Sequence, residues 1–329
     1  MNSKLKSTVI DAGGRFGLHP TWKPFTGELE YYLFEPDNAE ATRLSEKYRV
    51  RHAEVKVVAS ALGNSNQNIQ INLFQNRAMS SSVKRNPVSS LFKGERRGQV
   101  EIEQTVEVNA TSIDSFADEK GLHVDFLKLD TEGTEFEILE GANHQLLNCV
   151  LGVRSEIQFD HIFEGMPLFG EVNKRMLDLD FYLLNIDYDG RGDNQNNFVR
   201  LPGRYGILTS SDAVWMKRPA TFFSLATQND YSLEVQVLKY AAFCLMNSAN
   251  DVALSILLEA RTEYKVKFDK TNQTRLYRFV DNQVKKLFYD LKWQPGQSLK
   301  ECQDTYRQIF GKEMEEVHEF MQSLELNPD

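Results

Sequence analysis

Cysteine and histidine are scarce in this chain, and its 38 basic residues are outnumbered by 47 acidic ones. Its 329 residues include only three cysteines, Cys149, Cys244 and Cys302. They are odd in number and far apart, so they build neither a disulfide framework nor a metal-ligand spacing. A reducing compartment, the cytoplasm, is expected. The six histidines contain no HxxxH pair. No apolar run approaches the ~18 residues of a membrane span, so none is expected. No apolar stretch follows Met1 to Lys6, and no secretory signal is expected there. The formal charge is −9. A duplex nucleic-acid binder needs a basic face to displace counterions, so no nucleic-acid partner is expected. Two local basic clusters, Lys84-Arg85 and Lys93 to Arg97, sit among Ser and Gly and read as solvated loop.

What is present is a large apolar fraction, 41%, which suffices for a packed core. Up to about residue 220, β-rich runs alternate with helical stretches. The pattern predicts strands at 7–11, 29–34, 54–58, 126–130, 150–157, 181–187 and 213–216. Helices are predicted at 38–48, 134–147 and 168–177. Such alternation implies βαβ units and a mostly parallel seven-stranded sheet, an α/β fold. Between residues 64 and 107 two segments alternate with period two, Ile69 to Phe74 and Val100 to Val106. They read as an inserted β-hairpin carrying a mobile loop through Ser80-Ser81-Ser82 and Gly94–Gly98. From about Tyr231 the pattern is helical. Leu233, Val237, Ala241 and Leu245 form one stripe, and Leu276, Val280, Val284, Leu287 and Leu291 another. Pro295-Gly296 breaks the chain; Leu299, Cys302, Tyr306 and Ile309, then Met314, Val317, Met321 and Leu324, continue the stripes. The predicted organisation is therefore a domain over 1–220 and a helical region over 231–329.

The first strand ends in Asp11 and runs into Gly13, Gly14 and Gly17. Glycines let a backbone turn sharply and approach a ligand closely. Ligands of such sheets bind beyond the strands' carboxyl ends, where strand order reverses. The spacing is D-x-G-x-x-x-G rather than the dinucleotide fingerprint G-x-G-x-x-G. An acid there repels a diphosphate but suits a cationic amino group, such as the methionine end of S-adenosylmethionine. A purely structural Gly-rich turn is the alternative. Glu35, 24 residues after Asp11 in Tyr32-Leu33-Phe34-Glu35-Pro36-Asp37, stands at a second strand's end. There it can accept both hydroxyl hydrogens of a ribose, or else cap the next helix, a role that Asp37 or Asn38 fits better.

A third motif, Phe126-Leu127-Lys128-Leu129-Asp130-Thr131-Glu132-Gly133-Thr134-Glu135, completes a set. With Val9-Ile10-Asp11-Ala12-Gly13 and Phe34-Glu35-Pro36, in this order, it resembles the FkbM-type methyltransferase family, whose motifs read V-x-D-x-G-x-x-x-G, F-E-P and K-I-D-x-E-G-x-E. Ser112 to Phe116 and Glu164 to Phe169 also resemble that family's segments. The chain departs from the pattern at Gly14 and at Arg15, which takes the place of an Asn. The resemblance covers about residues 7–218. It implies a Rossmann-like class I methyltransferase fold and S-adenosylmethionine as cofactor, bound by Asp11, Gly13, Gly14, Gly17, Glu35, Ser60, Ala61, Asp130, Glu132 and Gly133. It also implies methyl transfer to a hydroxyl of a small molecule, such as a sugar or other natural product.

Methyl transfer to a hydroxyl needs alignment and a base. Asp130, Glu156 and His161 are the candidate catalytic residues. Asp130 either takes the proton or organises the donor's methionine end. Glu132 alternatively caps the helix after it, and His161 alternatively sits in a surface turn. A divalent cation on Asp130, Glu156 and Asp160 is compatible with the sequence but not required by it; no metal is assigned. Ser81 and Ser82 either touch a ligand or belong to a flexible loop. Asp187-Tyr188-Asp189-Gly190 with Asp193 lacks the acid that would complete a calcium loop, so it reads as a turn. A second reading makes the chain a degenerate donor-fold module that binds a protein through its helical tail. The intact acid and glycine set speaks against it. A dinucleotide oxidoreductase is disfavoured by the Gly13–Gly17 step. The tail itself suits a homo-oligomer or a partner enzyme.

Overall fold

The strands and helices follow from the apolar runs. The computed structural model describes residues 6–25, 27–51, 54–89, 101–187, 190–191, 206–229, 231–268, 274–291 and 299–314. In chain order the elements are β1 (Ser7–Ala12), β2 (Leu29–Phe34), α1 (Asn38–Arg51), β3 (Val55–Val58), β4 (Ala61–Leu62), β5 (Gln67–Phe74) and β6 (Ile102–Thr111). Then come α2 (Ile113–Lys120), β7 (Phe126–Leu129), α3 (Glu135–Glu140), α4 (Asn143–Asn148), β8 (Gly152–Gln158), α5 (Phe169–Asp178), β9 (Phe181–Ile186), β10 (Gly190–Arg191), β11 (Leu208–Lys217) and α6 (Pro219–Ala226). The last four helices are α7 (Leu233–Met246), α8 (Asn250–Thr262), α9 (Arg275–Leu291) and α10 (Leu299–Phe310).

The main sheet runs β3-β2-β1-β7-β8-β11, with β9 and the two-residue β10 both on the outer edge of β11. From β3 to β8 all neighbours are parallel; β11 is antiparallel to β8. This is the expected Rossmann-like, mostly parallel sheet. β1 and β7 are buried at every position, as strands covered on both faces should be. The chain winds outward from β1 to β3 and then returns to β7 on β1's other side. Strand order therefore reverses between β1 and β7, which opens a crevice beyond their carboxyl ends.

The inserted hairpin is present as β5 against β6, with β4 added parallel to β6, in a separate three-stranded sheet. The serine segment expected to be mobile is tied down. Ser81 exchanges backbone hydrogen bonds with Asn72 (2.9 and 3.2 Å). Gly94–Gly98 and the Lys93 to Arg97 cluster lie outside the described residues. The single helix predicted over 134–147 is two, α3 and α4, broken at Gly141. A Cβ there would stand 2.2 Å from the Gly63 carbonyl, so this backbone crossing requires glycine, and glycine is a poor helix former. Helix α2, whose Ser112 to Phe116 start stands out in the sequence only by resemblance, is capped by Ser112. The Ser112 side chain accepts from Ser115 N, and the helix stops at Gly121.

The contacts divide the chain into two compact units, Lys6–Leu225 and the residues from Ala226 on. In the second, α7 packs on α8 and α9, and α10 on α8 and α9. The predicted stripe on α7 understates its burial, since every residue from Val235 to Cys244 is buried. On α9 and α10, Leu276, Val280, Val284, Cys302, Tyr306 and Ile309 are buried as expected. Pro295-Gly296, Val317, Met321 and Leu324 lie outside the described residues. No helix among the described residues is long and apolar enough to cross a membrane.

One cation is built into the first unit's interior. Lys217, 1% exposed, donates to the carbonyls of Leu146 (2.5 Å) and Leu179 (3.1 Å) and lies 3.8 Å from the centre of the Phe181 ring. Burial pushes its ammonium down to about 8. An unfolded lysine titrates near ~10.4. Between those pH values the unfolded chain binds more protons than the folded one, so stability from this group rises with pH across that window. Urea unfolding near pH 7.5 and near pH 10 should show the parent chain gaining about 2 kcal/mol relative to Lys217→Met. A difference that stays flat with pH would contradict the buried ammonium.

Candidate active site

At the strand-order reversal the structure has a cavity of about 180 Å³. The turn after β1 contributes Gly13, Arg15 and Phe16, and the end of β2 contributes Phe34, Glu35, Pro36 and Asp37. Ser60, Ala61 and Leu62 follow β3, and the hairpin adds Ile69, Ile71, Leu73 and Val106. Ser80, Ser81 and Ser82 close one side, and the loop after β7 supplies Asp130, Thr131, Glu132 and Thr134. One stretch of the lining is therefore apolar and another is acidic.

The glycine turn is shaped by contact. Gly13 has φ +83°, and a Cβ on it would lie 1.7 Å from the Asp130 carbonyl oxygen. Asp130 N donates to Ala12 O (3.1 Å), so the turn after β1 and the loop after β7 are stitched together at this point. Gly14 and Gly17 do not line the cavity. Their missing Cβ atoms make room for the Leu33 and Tyr48 side chains.

Asp11 does not meet the cavity either, contrary to its expected role beside a cationic amino group. Its carboxylate is 1% exposed and lies behind the turn. It accepts from the Tyr31 hydroxyl and pairs with Lys128 Nζ at 3.4 Å. Burial raises its pKa, against the pull of Lys128. Lys128 Nζ also holds Asp130 Oδ2 at 3.1 Å.

Glu35 is placed as its position at a strand end predicts. It is 4% exposed and lines the cavity, and its Oε1 accepts from Asp37 N (2.8 Å). Burial pushes its carboxyl up, while the Asp37 amide and the Arg15 cation at 3.9 Å pull it back. Asp37, as expected, caps α1 by accepting from Ala39 N (3.1 Å). Arg15, at the position that departs from the family pattern, is engaged with Asp37 at 2.7 Å. Ser60 donates to Asn109 O (2.8 Å), which ties the end of β3 to the hairpin.

The loop after β7 is held by Glu135, an acid to which the motif alone assigns no role. Glu135, 4% exposed, accepts from Thr131 N (2.6 Å), Thr131 Oγ1 (2.9 Å) and Gly133 N (3.1 Å). It, rather than Glu132, satisfies the amides ahead of α3. Gly133 lies beneath this loop, against Phe163, and does not line the cavity. Glu132 instead sits at φ 59°, an uncommon left-handed conformation for a side-chain-bearing residue. Its carbonyl accepts from Ser81 Oγ (2.6 Å).

Three carboxylates converge here. Asp130, Glu132 and Glu156 each place an oxygen within 4.8 Å of the other two. At an effective dielectric of ~20, two such charges repel by about 3 kcal/mol. Burial and this mutual repulsion raise the carboxyls of Glu132 and Glu156 well above the usual range. Glu156 stands behind the cavity lining. Asp160 is not in the group. His161 is exposed and outside the lining; its carbonyl accepts from Asn86 Nδ2 (2.7 Å). Another histidine, which no sequence motif singles out, lies nearer these charges. Burial, with Lys128 and Arg154 close by, pushes His19 down to about 4, so its imidazole is neutral at neutral pH. Asp187 pairs with Arg154, as does Asp212 (2.9 Å); Tyr188, Asp189 and Asp193 lie outside the described residues.

Residues 11–183, more than half of the chain, match the family described as Methyltransferase FkbM domain. The chain belongs to this family. Among solved structures it is similar to a methyltransferase FkbM from Methylobacillus flagellatus KT, at 14% identity over 64% of this chain and 44% of that one, with a TM-score of 0.38. It is also similar to a precorrin-6y C5,15-methyltransferase from Geobacter metallireducens GS-15, at 9% identity over 65% and 85%, with a TM-score of 0.32. The chain thus spans under half the length of the first of these. No curated protein matches it. In this FkbM family member, the charged positions of Lys128-x-Asp130-x-Glu132-Gly133-x-Glu135 divide the work. Lys128 is a shared cation, Asp130 a cavity carboxylate, Glu132 a half-buried acid on the same cavity and Glu135 a loop staple.

Gly13→Ala tests the stitched turn. It adds a forbidden backbone conformation to a clash with main-chain atoms, and its cost should exceed about 2 kcal/mol. Chemical denaturation measures it, and a near-neutral result would mean that the turn and the β7 loop are not in contact.

Proposed function

We propose that the chain is an S-adenosylmethionine-dependent methyltransferase acting on a hydroxyl oxygen of a sugar or natural-product-like metabolite. The observation that carries the reading is Glu35, a buried carboxylate at the end of β2 that faces the same cavity as the glycine turn. A carboxylate in that place accepts hydrogen bonds from two adjacent ribose hydroxyls. The cavity's apolar side, Leu62, Ile69, Ile71 and Val106, suits the faces of an adenine, with Ser60 and Ala61 at its edge. Asp130, Thr131 and Glu132, at the other end, suit an amino group and a sulfonium. The residues present therefore fit the donor, although Asp11 acts through Lys128 rather than by touching it.

When bound, the donor supplies an electrophilic methyl on a cationic sulfur. The protein aligns the acceptor's oxygen with that methyl and matches the shifting charge. Of the three carboxylate and imidazole candidates for the base, Asp130 lines the cavity, Glu156 stands behind it and His161 points to solvent. Asp130 is therefore the group assigned to orient the acceptor hydroxyl and receive its proton. Three free cysteines suit a reducing compartment, and we place the protein in the cytoplasm. The helical unit is assigned to contact with a second copy or a partner enzyme.

Calorimetry with S-adenosylmethionine tests the donor. Binding is expected, and Glu35→Gln, which keeps an acceptor for Asp37 N, should weaken it at least ~10-fold, about 1.4 kcal/mol. Absence of binding at millimolar donor would overturn the reading. A screen of hydroxylated acceptors with methyl-labelled donor then identifies the substrate.

A further inference from the structure

We propose that Asp130, Glu132 and Glu156 bind a divalent cation, Mg²⁺ or Mn²⁺, beside the donor cavity, and that this ion takes hydroxyl oxygens of the methyl acceptor as further ligands. The proposal rests on reading the cavity as a methyl-donor site, and it names how that site meets its acceptor.

The donor set is the first support. Three carboxylate oxygens, from two adjacent strand ends, lie within 4.8 Å of one another. Ligand oxygens around an ion with bonds of ~2.0–2.6 Å stand roughly 3–5 Å apart, and hard cations choose oxygen. The second support is independent of the clustering. Glu156 Oε2 is closed to solvent and accepts no hydrogen bond. Gln158, the next residue on the same face of β8, is 2% exposed, and neither its amide nitrogen nor its amide oxygen has a partner. Buried polar groups are almost always satisfied, and each exception calls for a physical reason. Here two follow one another along a single strand face, and the first of them, Glu156, belongs to the carboxylate group. An ion there, with its water, supplies both with partners.

The charge balance points the same way. Lys128 is shared between Asp11 and Asp130. Among the described residues, neither Glu132 nor Glu156 has an ion-pair partner. Two positive charges placed between the three acids would offset a repulsion that the protein's own side chains leave standing. The side facing the cavity is formed by Asp130 and Glu132, so open coordination positions face that cavity, where the methyl is delivered. With the ion in place, Asp130 would hold it through one carboxylate oxygen and would still receive the acceptor's proton through the other.

The test uses the full chain, stripped of metal with a chelator and titrated with Mn²⁺ under electron paramagnetic resonance. One ion per chain is expected, displaced by Mg²⁺. Glu132→Gln and Glu156→Gln should each weaken Mn²⁺ binding at least ~10-fold, with circular dichroism and melting checked in parallel. Glu140→Gln, an exposed acid of α3, should leave binding unchanged. Labelled-methyl transfer should fall at least ~10-fold in chelator and return with Mg²⁺, while calorimetric binding of S-adenosylmethionine persists. If one variant does not fold, the other and the parent stoichiometry carry the test. No bound Mn²⁺, or binding indifferent to the folded variants, overturns the cation site and leaves the donor reading intact. Loss of donor binding in the parent chain overturns the donor reading instead, and the Mn²⁺ count still decides whether the carboxylates hold an ion.

Discussion

The position of the Lys128 ammonium sets everything around the cavity. It lies between Asp11 on the neighbouring strand and Asp130 at the end of its own, at 3.4 and 3.1 Å. Asp11 in turn accepts from Tyr31 on the next strand. One chain of ion pairs and hydrogen bonds therefore crosses β2, β1 and β7 beside the crevice. Buried ion pairs repay much of their Coulomb gain as desolvation, so their contribution to net stability is small. Their contribution to geometry is larger. Removing the cation would leave an almost fully buried carboxylate with the Tyr31 hydroxyl but no opposite charge. With the cation in place, Asp130 reaches the turn after β1, and Gly13 lies against its carbonyl.

The acids around the crevice are one residue class in several environments, and environment assigns their work. Asp11 and Asp130 share a cation. Glu135 is surrounded by amide and hydroxyl donors, which favour its charged form against burial. Glu35 has an amide and a nearby guanidinium. For Glu132 and Glu156 burial and like charge dominate and raise their carboxyls, with only the Lys128 cation pulling Glu132 the other way. Pairs of titratable groups pushed apart in this way are where chemistry concentrates. Loop geometry reinforces the division. Glu135 and Ser81 fix the backbone on either side of Glu132, and the strained φ of Glu132 is carried by those bonds.

Features that depend on local pattern are legible in the sequence. The strands are apolar runs, so their existence and order can be read. Asp37 as a cap and Glu35 as a cavity acid follow from their distance to a strand end. What depends on distant partners cannot be read. Asp11 looks like a ligand contact in a one-dimensional motif, but Lys128, 117 residues away, claims its carboxylate. Glu135 is a helix residue by spacing, and its capture of Thr131 and Gly133 exists only once the loop folds back. The break at Gly141 comes from the Gly63 carbonyl passing close by, which no helix propensity encodes. His161 is the residue type most suited to act as a base, yet it is exposed and outside the cavity lining. The segment after the glycine turn brings His19 near Lys128 and Arg154 instead. A signal for some of this is present, since Lys128 is a charged residue in an otherwise apolar strand.

The inserted hairpin matters for the same reason that the acids do. Its apolar face, Ile69, Ile71, Leu73 and Val106, faces the cavity, and its loop residue Ser81 reaches the acidic side. Polarity therefore changes across a short distance, from hydrocarbon at the hairpin to three carboxylates at the ends of β7 and β8. A ligand that is planar and apolar at one end and cationic at the other has a single favourable orientation in such a space. Reversing it would bury charge against isoleucine and leave the acids unmatched, and burying an unpaired charge is among the most costly changes a site can make. Orientation is then decided by the gradient rather than by any one contact. That is why Asp11 can serve the site without touching the ligand. It holds Lys128, and with it Asp130, at the charged end.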